Sequence, residues 1–281
     1  MEKNYLKDKP LELTNDGKLT FFFLGIGSAF SKLHYQTNLL IIKGQDHVLI
    51  DCGTVCPTAL HNYKSSIINI SNFLITHSHA DHIGGLEESA LMGRYVTKKR
   101  PNMIITDEYK DLLWNSSLKG GLAFGEIYEG KPLEYHHFFN QIKPEMISKS
   151  PRPLYEINAG SINIKLYRTM HIPDSAKSWS DSSLSYGILV DNRVIFSSDT
   201  RFDIDLINWL LKDYPTIEHI FHDCQFFPGG VHASFQELST LDPEIKKMIN
   251  LCHYGDNYKN FHPRDNGFAG FARQGCYYIF N

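Results

Sequence analysis

Several shortages in this chain each exclude a class of protein. Cysteine is scarce: Cys52, Cys56, Cys224, Cys252 and Cys276 are odd in number and form no CxxC pair, so a reducing compartment fits better than a disulfide framework. No run approaches the ~18 apolar residues that span a bilayer, and the opening Met1–Pro10 lacks an apolar core of signal-peptide length. A cytoplasmic protein without a membrane partner is therefore expected. An excess of one charge is also missing, since 28 Lys and Arg face 31 Asp and Glu for a net of -3. That removes a globally basic surface as an argument for nucleic acid. No low-complexity linker or charge block marks a boundary, and one domain spanning residues 1–281 is expected. What is present is enough apolar material for a sizeable core: 281 residues, 42% hydrophobic and 21% charged, which excludes disorder as the main state. The compositional oddity is 14 histidines.

Short β-branched or aromatic runs bounded by Gly, Asp or Asn predict strands at 19–24, 38–42, 47–50, 73–76, 102–106, 162–169, 185–190, 193–197, 218–222, 247–252 and 276–280. Helices are predicted at 55–64, 82–92, 108–118, 203–211 and 234–241. The prolines of Ser148-Lys149-Ser150-Pro151-Arg152-Pro153 predict a loop there. A weak echo links the halves: the hairpin 39–50 ends in Asp51-Cys52-Gly53, and the hairpin 187–197 ends in Ser198-Asp199. Two similar β-rich halves with helices predict an α/β fold of two sheets packed face to face, helices outside.

The strongest local signal is Thr76-His77-Ser78-His79-Ala80-Asp81-His82-Ile83-Gly84-Gly85, directly after the apolar Phe73-Leu74-Ile75. A spacing of two puts His77 and His79 on one side of an extended strand exit. Asp81 and His82 fall where the chain turns into a helix, and Gly84 and Gly85 let backbone pass close by. Four imidazole or carboxylate donors on a stiff support are what a cation needs. The same grammar, an apolar strand ending in a donor, recurs at His171, Asp199, His222-Asp223 and His253. Together these supply the two sets of three or four donors of a dinuclear site, in which an aspartate such as Asp199 can bridge.

In its H-x-H-x-D-H motif, distal histidine, aspartate and final histidine, the sequence resembles the metallo-β-lactamase superfamily from Leu19 to the C-terminus. The resemblance implies the αββα four-layer sandwich. It also implies His77, His79 and His171 as ligands of one metal, Asp81, His82 and His253 as ligands of the second, and Asp199 between them. Phe23-Leu24-Gly25-Ile26-Gly27-Ser28 is similar to the F-L-G-T-G-S opening of the ribonuclease Z-like phosphodiesterase branch. Phe196-Ser197-Ser198-Asp199-Thr200 is similar to its Y/F-S-G-D-T, with Ser198 in place of glycine. His222-Asp223-Cys224 with Val231-His232-Ala233-Ser234 is similar to its H-E-A…H-S-T pair, which implies a catalytic His232 oriented by Asp223.

Two divalent cations, zinc or alternatively manganese or iron, would activate water near neutral pH, with Asp81 orienting the nucleophile. Asp51 reads either as a carboxylate fixing a histidine tautomer or as ordinary strand-end turn chemistry. His232 reads either as a catalytic acid or as a solvated residue beside a helix cap at Ser234. Because redox members of the superfamily carry a carboxylate at the position of His79, hydrolysis without redox chemistry is implied. Ribonuclease Z recognises precursor tRNA with a basic arm, and none is evident here. The aromatic and histidine-rich stretch 126–149 would suit either covering a small ligand or packing. Compact relatives open cyclic nucleotides, including phage-type enzymes that degrade cyclic CMP and UMP, and relatives are commonly homodimers. A cyclic-nucleotide phosphodiesterase is thus the expected activity. Precursor-tRNA cleavage, thiolester or lactam hydrolysis, and a non-catalytic metal-binding scaffold are the alternatives.

Overall fold

In the computed structural model, which describes residues 1–281, the apolar runs become strands and sort into two eight-stranded sheets and a two-stranded hairpin. The chain forms two compact units, one of Met1–Gly25, Asn38–Pro144 and Gly275–Asn281, the other of Ile26–Thr37 and Glu145–Gln274. No helix is long and apolar enough to cross a membrane.

The sheet of the first unit runs Glu2–Tyr5, Cys276–Phe280, Leu19–Gly25, Asn38–Lys43, Asp46–Ile50, Asn72–Leu74, Asn102–Ile104 and Asn140–Ile142. Pairing is antiparallel as far as Asp46–Ile50 and parallel beyond it. Leu19–Gly25 is buried along its whole length, as Phe21-Phe22-Phe23 demands. Three rings with no exposure each contribute roughly 1.5–3 kcal/mol of burial.

The sheet of the second unit runs Glu145–Ser148, Leu154–Ala159, Ile162–Arg168, Tyr186–Val190, Val194–Phe196, His219–Asp223, Ile249–Cys252 and Gly270–Phe271. It too switches from antiparallel to parallel, after Val194–Phe196. The echo seen in the sequence is therefore real: in each unit a hairpin feeds the parallel half of a sheet. The second hairpin turns through Asp191 and Asn192, both at positive φ, the backbone that a tight two-residue turn requires. Parallel strands all end on one edge, so in each unit the residues just past their carboxyl ends are gathered there.

Two helices differ from expectation. The run predicted at 82–92 is divided into Ala80–Ile83 and Leu86–Leu91, continuing as a π-helix over Met92–Thr97. The break falls at Gly84 and Gly85. A Cβ on Gly84 would lie 2.4 Å from Thr54 Oγ1, and one on Gly85 would lie 2.7 Å from the Gly53 carbonyl oxygen. Close backbone approach thus fixes both glycines, as the motif suggested. The run predicted at 108–118 is Asp107–Leu113 followed by a π-helical Trp114–Leu118. Packing accounts for the core of the aromatic stretch: Tyr135, Phe138 and Phe139 are buried, and the first two lie against Trp114. Ile127 and Tyr128, on the small hairpin, remain exposed.

Candidate metal centre

In the first unit the donors cluster where the strand Asn72–Leu74 hands over to the short helix Ala80–Ile83. His77 Nε2 is 3.1 Å from His79 Nδ1, and His82 Nε2 is 3.3 Å from Asp81 Oδ2. Asp81 occupies the first helical turn and is buried, so it is not the helix cap; His79 holds the N-cap position. Behind them stands Asp51, fully buried at the end of the neighbouring strand. Its carboxylate accepts from His82 Nδ1 at 2.7 Å, and from the Thr76 N–H and hydroxyl, each at 2.8 Å. Burial raises the Asp51 pKa while the adjacent His82 works to lower it. With Nδ1 of His82 committed to Asp51, Nε2 is the nitrogen that faces Asp81. That is the tautomer-fixing geometry of a metal-binding histidine. The two readings of Asp51 are thus combined, because the residue ends a strand at φ 63 and supports His82.

In the second unit the cluster is built on Asp199. Its Oδ2 lies 3.5 Å from His253 Nε2, 3.8 Å from His171 Nε2 and 3.9 Å from His232 Nδ1. Ligand atoms of Asp199, Asp223, His232 and His253 all fall within 4.8 Å of one another. His171 Nδ1 donates to the Val231 carbonyl at 2.8 Å, which leaves the lone pair on Nε2, towards Asp199. Burial pushes the His171 pKa down to about 4. The ring is therefore neutral at pH 7, the form that binds a cation.

Asp223 does more than the sequence suggested. Oδ2 is 2.7 Å from His232 Nδ1 and also accepts from the Thr200 N–H at 3.0 Å, while Oδ1 is 3.3 Å from His253 Nδ1. One buried carboxylate thus supports two histidines, His232 and His253. Burial disfavours a charged His232, but the Asp223 carboxylate more than offsets this and raises the pKa above its ordinary value. Burial is the largest single influence on Asp223 and works to raise its pKa. The charge and hydrogen bond of His232 and a hydrogen bond from His253 together outweigh it and hold the carboxyl below its ordinary range. Ser234 does cap the helix Phe235–Leu238, through a box with Glu237, and this leaves His232 to Asp223.

Two strand-end donors of the second unit are sorted by geometry. His222 is buried, with Nδ1 2.8 Å from the Asp223 carbonyl, and serves hydrogen bonding. His253 joins the cluster from a left-handed backbone, φ 55. Ser198, at φ 51, shows why a glycine is usual there: a side chain in that region costs on the order of 1 kcal/mol. All five cysteines are reduced and buried, and burial raises the thiols of Cys52, Cys224 and Cys252 well above their ordinary values. They are inert here, in keeping with their omission from the donor set.

Sequence reasoning missed the supporting groups Thr76, Thr200 and the Val231 carbonyl, which carry no motif of their own. It also missed the cavity beside the second cluster. About 700 Å³ of space is lined by Phe30, Ile172, Pro173, Phe226, Phe227 and Val231, with His232 and His253 in its wall. Its remaining lining is Ser28, Ala29, Asp174, Gln225, Gly230, Gly255 and Asn257, so no lysine or arginine reaches it. The donor chemistry of both clusters, imidazoles with defined tautomers beside buried carboxylates, fits divalent cations.

Comparison with known proteins agrees with this picture. A metallo-β-lactamase fold protein from Bacillus subtilis, YhfI, superposes with a TM-score of 0.64 at 14% identity, over 94% of this chain and all of that one. The chain has the metallo-β-lactamase fold, as the resemblance implied. The "Anti-Pycsar protein Apyc1" of Bacillus phage BSP38 is 40% identical over 263 residues, covering 91% of this chain and 96% of that protein. The protein of the same name from Bacillus phage 010DV004 is 38% identical over 266 residues, again 91% and 96%. The family model described as Anti-Pycsar protein Apyc1 matches residues 19–278, and with that extent of agreement the chain belongs to the Anti-Pycsar protein Apyc1 family.

Proposed function

We propose that the protein is a metal-dependent phosphodiesterase that opens a cyclic mononucleotide. The observation that carries this reading is the placement of His232: hydrogen-bonded to Asp223, it stands in the wall of an aromatic-rich cavity of nucleotide size that no lysine or arginine lines. In this reading His77, His79 and His171 would hold one cation and Asp81, His82 and His253 the other, with Asp199 able to serve both. Such cations supply Lewis-acid activation of water and neutralisation of phosphoryl charge.

The chain's own groups account for the rest. Asp81 orients the attacking water while remaining a ligand. Water adds to phosphorus and releases a proton to solvent, and the P–O bond to the ribose 3′ oxygen breaks. His232 in its protonated form neutralises a phosphoryl oxygen or gives its proton to the leaving 3′ oxygen, then regains one from solvent. Ribose and base lie along Phe226, Phe227 and Val231, where an uncharged group is favoured. The family name of the relatives is consistent with a nucleotide-signal substrate.

The absence of lysine and arginine from the cavity sets the test. An RNA-cleaving enzyme must neutralise many phosphates, and its binding weakens steeply with salt. We expect turnover of at least one 3′,5′-cyclic mononucleotide in a panel of such substrates. Its kcat/KM should fall only mildly between low and physiological salt, with little cleavage of precursor tRNA alongside. Salt-sensitive trailer removal from precursor tRNA, without turnover of any cyclic mononucleotide, would overturn the proposal.

A further inference from the structure

The loop of residues 28–34 belongs to the second unit, and its two ends lie together. The Gly27 N–H donates to the Tyr35 carbonyl at 2.9 Å, and the Thr37 N–H to the Gly27 carbonyl at 3.0 Å. A Cβ on Gly27 would lie 2.7 Å from Ser31 Cβ, so the chain folds back tightly, in the manner of an Ω-loop. At its tip Phe30 is 86% exposed and Leu33 is 59% exposed. Even so, Ser28, Ala29 and Phe30 form one wall of the 700 Å³ cavity.

What holds this wall lies 225 residues further along the chain. The Asp256 carboxylate accepts from the Ser31 hydroxyl, from the Lys32 N–H at 2.8 Å and from the Leu33 N–H at 3.2 Å. Asp256 does not line the cavity, but its neighbours Gly255 and Asn257 do. One carboxylate therefore ties the loop to a second stretch of the cavity's lining. The base of the loop is fixed separately: Gln274 Oε1 accepts from the Tyr35 N–H at 2.8 Å, and the His34 ring meets Tyr254 and Tyr258 edge-on.

We propose that Asp256 is a positioning residue that latches the Phe30 loop across the cavity and so sets substrate affinity while leaving the bond-breaking step alone. This rests on reading the cavity as the substrate site. All three of its partners are donors, which an anion satisfies and a side-chain amide does not. Asp256→Asn should therefore fail nearly as badly as Asp256→Ala, whereas Asp256→Glu should restore part of the function.

The test uses the metal-loaded full chain. For the best substrate of the cyclic mononucleotide panel, Asp256→Ala and Asp256→Asn should raise KM about tenfold with kcat within about threefold, the pattern of lost uniform binding. Hydrogen exchange in residues 28–35 should quicken in both variants, while residues 249–254 keep wild-type protection. Unchanged exchange in 28–35 would overturn the latch. So would an unchanged KM, or a fall in kcat accompanied by loss of metal. A wild-type protein inactive on every cyclic mononucleotide would instead overturn the proposed substrate, and exchange alone would then decide the latch.

Discussion

Replacing Asp199 by alanine is expected to empty both metal positions and lower kcat by about 10⁴ or more, since charge stabilisation by the cations carries most of the rate in such hydrolysis. The expectation comes from reach. Asp199 Oδ2 is 3.8 Å from His171 Nε2 and 3.5 Å from His253 Nε2, and these two histidines are assigned to different cations. His171→Ala, by contrast, removes a ligand from one set alone and should leave close to one equivalent of metal bound. Metal analysis of the two variants beside the wild type checks this. Two equivalents retained by Asp199→Ala would remove its bridging role.

His232→Ala is expected to keep its metal and lose a factor of roughly 10²–10⁴ in kcat, the usual contribution of a positioned acid or base. Its Nδ1 is spent on Asp223 at 2.7 Å, so the other ring nitrogen is the one available to substrate. Its side chain keeps 21% exposure where those of His171 and His253 keep 0% and 3%. An accessible imidazole held by a buried carboxylate beside a cavity suits catalysis better than structural ligation. Metal lost together with activity would make His232 a ligand, and unchanged activity would reduce it to a bystander of the Ser234 cap.

The donors at His77, His171, Asp199 and His253 were legible in the sequence because each follows the carboxyl end of an apolar strand, and Asp81 and His82 because they share a motif with His77. A parallel half-sheet then gathers such ends on one edge without further instruction, which is how Asp51 comes to meet His82 and Asp223 to meet His253. The hairpin echo was legible for a similar reason, since β-branched runs around a turn declare themselves locally. Edge strands such as Glu2–Tyr5 and Asn140–Ile142 were not, because they are short and mostly polar, with no burial pattern to reveal them. The helix break at Gly84 and Gly85 depends on Thr54 and Gly53, some 30 residues away in sequence. The cavity was hidden for the same cause: Phe30, Ile172, Phe226 and Asn257 come from four separate loops, and only the fold collects them. Thr76, Thr200 and Asp256 act through hydrogen bonds to residues distant in sequence, which leave no periodicity.

The central claim is that two cations on these histidines and aspartates open a cyclic nucleotide ring. The most direct measurement is a titration of chelator-stripped protein with zinc or manganese, following conversion of a 3′,5′-cyclic mononucleotide to its linear monophosphate. We expect activity to rise from near zero and reach a plateau at two equivalents per chain. A plateau at one equivalent, or full activity in the stripped protein, would contradict it.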